Sequence, residues 1–496
     1  MTGSRGARFL GLDVGTTNIK AQIVAEDGTV LCSGSASAAI SYGADGAAEQ
    51  DLEDIWNGTR EAIRRAAAGP EASSVAAIGV SSQGGALQVV DAGGRCTGPV
   101  IGWQDSRAGA WERDLTERKG SSWFEQRIGF SRAFSSIGQL LRLRAVDALP
   151  RGCRVGWVGD IIVGRLCGHR AQDATSLSEA GLYNPRAGRE DTEVLELLGL
   201  DRSMLPDLLA VDRAAGGLLP EVARELGLPA GIPVGPAVHD QYAAALGCGV
   251  VQGGDTMFGA GTAWVLLAVA PTLNPPVGAI ALVGRHPVSG AFGQMLSMVN
   301  GGACIAWALR LIGREGMGVS ETDALMATVP PGSDGLRFRP LLSRLGGSGL
   351  APGTPGRLDG LGLDHKAAHV LRALVEGLAC ELGRYLGIME RGGVHAERLV
   401  MCGKAAASTV TPGIIADTTR LPVDCVTLPE ASCQGAAVLA RLLAEPRSNL
   451  AALSTAMKPR SRTVRPGPGA AEAHERLEEY LQSLSADGVL VQTFPR

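Results

Sequence analysis

Two apolar runs joined by a glycine-threonine turn occur once in each half of this chain. In the first copy, Phe9, Leu10 and Leu12 lead into Asp13, Val14, Gly15, Thr16 and Thr17, and a second apolar run continues through Val24. The pattern reads as strand, tight loop, strand. Glu26, Asp27 and Gly28 then turn the chain into a third strand at Val30. Gly15 frees the backbone to turn sharply. Successive amides of Gly15, Thr16 and Thr17 can then point into one concavity and hold an anion. Asp13, at the strand end, can hold Mg2+, which takes one or two carboxylates together with water and phosphate oxygens. A hairpin whose Asp and Thr residues satisfy only their own turn is the alternative. In the second copy, over residues 256–268, Gly261 and Thr262 fall where Gly15 and Thr16 fall, and Gly259 stands where Asp13 stands. Two such hairpins, facing each other, can clamp one polyphosphate from both sides. The metal-side carboxylate then belongs to the first half alone.

A chain of 496 residues is too long for one core and implies two or three domains. We divide it at residues 1–248, 249–445 and 446–496, the last piece being linker and a C-terminal helix. The formal net charge of -4 gives no basic footprint for nucleic acid. Ten scattered cysteines with no Cys-x-x-Cys pair argue against a zinc site or a disulfide framework. The first residues hold no apolar signal core, and no apolar run approaches ~18 residues. A soluble cytoplasmic protein without a membrane segment is the expectation. Lysine is scarce, yet Lys20 and Lys404 both sit in or beside glycine-rich loops.

Further along, polar clusters stand at the ends of apolar runs. The run 75–80 ends in Ser81, Ser82, Gln83, Gly84 and Gly85, and the run 99–103 ends in Trp103, Gln104, Asp105, Ser106 and Arg107. Ligands bind beyond strand ends in open α/β sheets, so both clusters are candidate small-molecule contacts. Core packing of Trp103 and a surface pair of Asp105 with Arg107 are the alternatives. One helix is expected over 52–68 and one over 121–148. A polar loop is expected at 173–181, and a helix-start role for Asp160. The run 234–238 is a strand, and Pro233 and Pro236 suggest an edge or an irregular piece. His239 and Asp240 close it at a helix start, where Asp is a preferred cap. In the second half, Asn300, Gly301 and Gly302 join a strand to a helix, a second possible anion edge. Gly403, Lys404 and Ala405 follow the strand 398–401.

Taken in order, these residues resemble the FGGY family of carbohydrate kinases, and within it the xylulokinase branch. The resemblance runs from about Arg8 to Ala444. Residues 11–20 are similar to the family's first phosphate motif, 79–91 and 102–108 to its sugar-side segments, and 238–251 to the stretch that carries its catalytic aspartate. Residues 258–264 resemble the second phosphate motif, and 299–307 and 400–444 the nucleotide-side segments. The resemblance implies an α/β protein of two actin/hexokinase-like (ribonuclease H-like) domains. Each is a mixed sheet flanked by helices, with ATP in the cleft between them. It implies that Asp13, Gly15, Thr16, Thr17 and Lys20 face metal and phosphates, with Gly261 and Thr262 opposite. Gly302, Gly403, Lys404 and Ala405 would line the nucleotide. Gln83, Gly84, Gly85, Trp103 and Asp105 would face the sugar, and Asp240 would be the base. The implied cofactors are ATP and Mg2+, and a homodimer is the commonest closed assembly. An actin-like nucleotide switch and a sugar-binding homologue without catalysis are the rival readings.

Three segments depart from the family pattern. Gln-Met-His-Gly becomes Gln83, Gly84, Gly85 and Ala86, which predicts a wider acceptor pocket unless another segment fills it. Gly-Gly-Gly-Ala becomes Gly403, Lys404, Ala405 and Ala406. Gly-Glu-Arg-x-Pro becomes Arg344, Leu345, Gly346 and Gly347, and residues 344–353 are the expected filler of that pocket.

Overall fold

The computed structural model describes residues 6–149, 152–277, 281–343, 350–351, 353–428 and 430–490. In the first half, β1 (Arg8–Val14), β2 (Asn18–Ala25) and β3 (Val30–Ser37) run antiparallel. On its other side β1 pairs in parallel with β4 (Val75–Ser82), and β4 with β5 (Pro233–His239). The order β3-β2-β1-β4-β5 is extended past β5 by short pieces at Ala171–Gln172 and Asp207–Leu208. Helix α1 (Leu52–Ala66) buries Ile55, Thr59, Ala62 and Ile63 at helical spacing and packs on β2 and β3. The Asp51 carboxylate caps it by accepting from the Glu53 amide at 2.7 Å.

The second half repeats the plan. Strands β6 (Asp255–Ala260), β7 (Trp264–Ala270), β8 (Ala281–Arg285) and β9 (Phe292–Met298) form its antiparallel side in the order β8-β9-β7-β6. Strands β10 (Arg398–Cys402) and β11 (Val423–Val426) lie parallel to β6. The expected pair of mixed-sheet α/β domains is therefore present. Each half also sends a helix to the junction after its last parallel strand. These are α2 (Asp240–Gly247) after β5 and, following α3 (Gly302–Leu311) and the long α4 (Ala367–Arg391), α5 (Ala431–Ala444) after β11. A Cβ on Gly435 would stand 1.7 Å from the Ala243 carbonyl oxygen, so glycine lets the two helices touch backbone to backbone. Helix α5 also lies on β1 and β4 of the first sheet. This packing fixes the end of β1, which carries Asp13, and the start of α2, which carries Asp240, relative to the second half.

Several local expectations are corrected. Strand β5 is internal, not an edge; Pro233 opens it, and Pro236 falls within the register shift between Val234 and Ala237, where a missing N–H is tolerated. The helix expected over 121–148 is two, Ser121–Ile128 and Ser135–Ala145, separated after Gly129 turns left-handed at φ +65. Residues 173–181 hold a short helix, Ala174–Glu179, whose N-terminal amides at Thr175 and Ser176 donate to Asp173. Asp160 takes the expected helix-start place, accepting from the Trp157 amide and pairing with Arg170. The segment after Pro446 is more than a linker: β12 (Ser461–Val464) pairs antiparallel with β11 and completes the second sheet, ahead of the expected C-terminal helix at Ala470–Ala486. The departure at Arg344–Gly347 lies outside the described residues, as does most of the expected filler 344–353. All ten cysteines are free. Among the described residues, no helix is long and apolar enough to cross a membrane.

Candidate active site

The first hairpin turns at Gly15, where a Cβ would stand 2.7 Å from the Asn18 carbonyl oxygen. Its tip is tied down from the first half alone. Gln50 donates to the Thr16 carbonyl at 2.9 Å, and the Trp103 indole N–H donates to Thr16 Oγ1 at 3.1 Å. Gln83 in turn donates to Gln50 at 3.0 Å, and its own Oε1 is buried without a partner. Gln83, Gln50, Thr16 and Trp103 thus form one connected wall beside the turn. Trp103 is 52 % exposed, so its ring is an open surface and not core.

Asp13 ends β1 and faces Asp240 at the start of α2. Ser81 donates to Asp13 Oδ1 at 2.8 Å. Burial, reinforced by the Asp240 charge, pushes the Asp13 carboxyl up to about 7, against the pull of Ser81 and Lys20. Burial also raises Asp240, to about 6, while the Gln241 side chain and amide hold it down. The residue in the N-cap position of α2 is His239, whose side chain makes no capping bond, and Asp240 is the first helical residue. The plain-cap alternative for Asp240 therefore does not apply.

The second hairpin is built differently. Its tip is held by the backbone of helix α3 (Gly302–Leu311): the amides of Gly302 and Ala303 donate to the carbonyls of Gly261 and Thr262 at 3.1 and 3.0 Å. A Cβ on Gly302 would lie 2.3 Å from the Gly261 oxygen. Gly302 is thus required for that close approach, and its amide is already used. Gly403, at φ +89, packs against Ala260 at the end of β6, with Lys404 and Ala405 in the turn that follows. The structure brings Gly261, Thr262, Gly302, Gly403, Lys404 and Ala405 to one edge of the second sheet.

Two expected contacts are corrected. The Asp105 side chain has no exposed surface, because Arg107, Gln139 and the Ala48 amide take both of its oxygens. Asp105 braces the wall from behind and does not face an acceptor. The Lys20 ammonium pairs with Glu430, which precedes α5, so its charge joins the two halves and is not free for phosphate.

The departure at Gly84 is also resolved. A Cβ there would stand 2.7 Å from His239 Cδ2 and 2.9 Å from Glu179 Cγ. The space expected to widen the pocket is filled by these two side chains. Gly85, at φ +70, would strain any side chain. Glu179, Glu430 and Gln50 lie beside these residues and were not singled out in the sequence, and His239 and Ser81 were noted there only as parts of strand ends. The adjacency of His239 to Asp240 in sequence was the one available signal.

The arrangement is two glycine hairpin turns, one from each half, with Asp13 and Asp240 close enough for their charges to act on each other. A model of the N-terminal domain of the FGGY family of carbohydrate kinases matches residues 8–247, and one of its C-terminal domain matches 257–444. The chain belongs to the FGGY family of carbohydrate kinases. It is an enzyme, an ATP-binding transferase of that family. A glycerol kinase from Thermus brockianus is 30 % identical over 449 residues, covering 86 % of this chain and 88 % of that one. A xylulose kinase from Escherichia coli K12 is 26 % identical over 468 residues, covering 89 % and 91 %. The crystal structure of a xylulose kinase from Rhodospirillum rubrum superimposes with a TM-score of 0.86 at 26 % identity, covering 97 % of this chain and 98 % of that one. Among FGGY kinases the resemblance therefore reaches both glycerol and xylulose enzymes.

Proposed function

We propose that this FGGY kinase transfers the γ-phosphoryl group of ATP to a hydroxyl of D-xylulose or a related ketopentose or polyol, with Asp240 as the base. The observation that carries this reading is that Asp13 lies near enough to Asp240 for the two charges to act on each other, while Gln241, next to Asp240, stands beside Gly259 of the second hairpin, 3.7 Å from where a Cβ there would be. We assign the first domain to residues 1–248 and the second to 249–445.

Phosphoryl transfer asks mainly for positioning and charge neutralisation. The amides around Gly15, Thr16 and Thr17 take the phosphates from one side, and those of Gly261 and Thr262 from the other. Gly403, Lys404 and Ala405 line the nucleotide edge. Gln83 and Trp103 face the acceptor, braced by Asp105. The acceptor oxygen forms its bond to the γ-phosphorus, the bond from that phosphorus to the bridging oxygen of ADP breaks, and Asp240 takes the hydroxyl proton. Above about pH 6 Asp240 is ionised and can accept it.

Asp13 fits Mg2+. It offers hard carboxylate oxygens at a position where burial and a second carboxylate already disfavour an uncompensated charge. Bound there, Mg2+ would neutralise charge on the phosphates. Closure of the two halves excludes water, so that ATP is not hydrolysed.

The test is a coupled ADP-release assay across D-xylulose, D-ribulose, xylitol, ribitol, glycerol and D-gluconate. Acceptor-dependent release on at least one ketopentose or polyol is expected. ATP turnover indifferent to acceptor would favour an actin-like switch, and no turnover with intact acceptor binding would favour a non-catalytic homologue.

A further inference from the structure

Gly84 makes room for a pair of side chains that no other part of this account uses. His239 comes from the end of β5 and Glu179 from the short helix Ala174–Glu179. The His239 and Glu179 side chains are 7 % and 13 % exposed, and Asp240 beside them is 27 % exposed. His239 Nε2 stands 3.3 Å from Asp240 Oδ1 and 3.9 Å from Glu179 Oε1. Burial pushes the imidazole below its ordinary value, so it is neutral and carries one proton. With two carboxylates near Nε2 and Nδ1 buried without a partner, the proton belongs on Nε2. Glu179 Oε1 is buried and has no hydrogen-bond partner. Such an oxygen is costly to leave unpaired and calls for a donor from a ligand.

We propose that Gly84, Glu179 and His239 form a selective wall of the acceptor site: Glu179 accepts a hydroxyl of a neutral polyhydroxy acceptor, and His239 positions the Asp240 carboxylate. This rests on the reading of Asp240 as the base. The charges around the wall give it a sign. Asp240, Asp13 and Glu179 are acidic, while Lys20 is paired with Glu430 and Arg107 with Asp105 and Glu49. A carboxylate-bearing or phosphorylated acceptor would add another negative group to a buried acidic cluster where burial already disfavours charge. A hydroxyl can donate to Glu179, and sites built to bond a hydroxyl discriminate strongly. Glu179 is thus a specificity-determining residue and His239 a positioning residue.

The test compares kcat and KM on neutral acceptors (D-xylulose, xylitol, glycerol) and on D-gluconate. It uses the parent and the Glu179→Gln, His239→Ala, His239→Gln and Gly84→Met variants. Acceptor binding is read in parallel by quenching of Trp103 fluorescence, against a Trp103→Phe control. Nucleotide binding by calorimetry and thermal melting identify variants that stay folded. The parent should prefer its best neutral acceptor over gluconate by about 100-fold or more in kcat/KM. Glu179→Gln should raise KM for that acceptor about 10-fold, change kcat by less than about 3-fold and narrow the preference. His239→Ala should lower kcat about 10-fold with little change in KM, and His239→Gln, which keeps a donor near the Nε2 position, should restore part of it. Gly84→Met, which displaces the imidazole, should lose kcat as His239→Ala does.

An active parent that uses gluconate as well as any neutral acceptor would overturn the proposal. So would a folded Glu179→Gln variant with unchanged KM and unchanged preference. If the parent turns over no acceptor, the kinase reading of the preceding subsection fails instead. The fluorescence titration then still decides: weaker polyol binding by Glu179→Gln supports the wall, and equal binding overturns it.

Discussion

The two hairpins share a topology and differ in what holds their tips. The first, β1 to β2, is anchored by the side chains of Gln50 and Trp103 and carries Asp13 one step before its turn. The second, β6 to β7, is anchored by the backbone amides of Gly302 and Ala303 and has Gly259 at the matching place. A duplicated scaffold can therefore supply the same backbone cradle twice while placing ionisable chemistry in one copy only. The first copy lies beside the second carboxylate, Asp240, and beside the wall where an acceptor would sit. The second copy lies beside Gly403 and α3, the edge we assign to the nucleotide. The division of labour follows from which loops surround each turn, not from the turns themselves.

The comparison breaks most severely at Asp240. Asp240→Asn should keep the fold and nucleotide binding and lower kcat by about 10²–10⁴-fold, since an amide cannot take the proton. Steady-state kinetics beside nucleotide calorimetry checks this. Next comes Asp13→Asn, which should cut kcat by about 10-fold or more and raise the Mg2+ concentration needed for half-maximal rate. The same change should stabilise the ligand-free protein. Asp13 has a folded value of about 7, above its ordinary 3.8, so the folded state binds the proton more tightly than the unfolded chain does. Its contribution to stability therefore falls as pH rises from about 4 to about 7 and is constant above. Because Asp13 and Asp240 interact, that window belongs to the pair. Asp13→Asn should raise Tm by about 2 °C at pH 8, and by less at pH 5. An equal melting shift at both pH values would contradict the assignment.

Gly302→Ala acts on the other hairpin. Its methyl would press on the Gly261 carbonyl, so a loss of about 1–3 kcal/mol and a raised KM for ATP are expected, with the acceptor KM unchanged. Denaturant melts and kinetics read both. The smallest effect is expected from Thr262→Val. That side chain is exposed, and backbone amides hold the phosphates, so KM for ATP should rise by no more than about 3-fold.

Much of this was legible in the chain. The hairpins, the parallel strands after them and the polar strand ends are short-range patterns. What the sequence did not reveal depends on partners far away in the chain. Pro233 and Pro236 looked like edge residues because nothing local shows that β5 is paired on both sides. Lys20 looked available because its partner, Glu430, lies 410 positions away, and although the Asp105–Arg107 pair was legible locally, its burial was not, because Gln139, which also bonds Asp105, lies 34 positions away. Gly84 looked like a lost contact because the side chains that fill its space come from β5 and from a segment read as a loop.

The most direct test of the central claim is the pH dependence of kcat/KM, measured for the parent and for Asp240→Asn on the best acceptor. The account predicts a parent rate that falls on the acid side between about pH 7 and about pH 6, as the Asp13–Asp240 pair takes up protons. In the variant Asp13 titrates without the Asp240 charge that raises it, so the limb of the residual rate should move to lower pH. An Asp240→Asn enzyme that keeps near-parent activity and the same acid limb would contradict it.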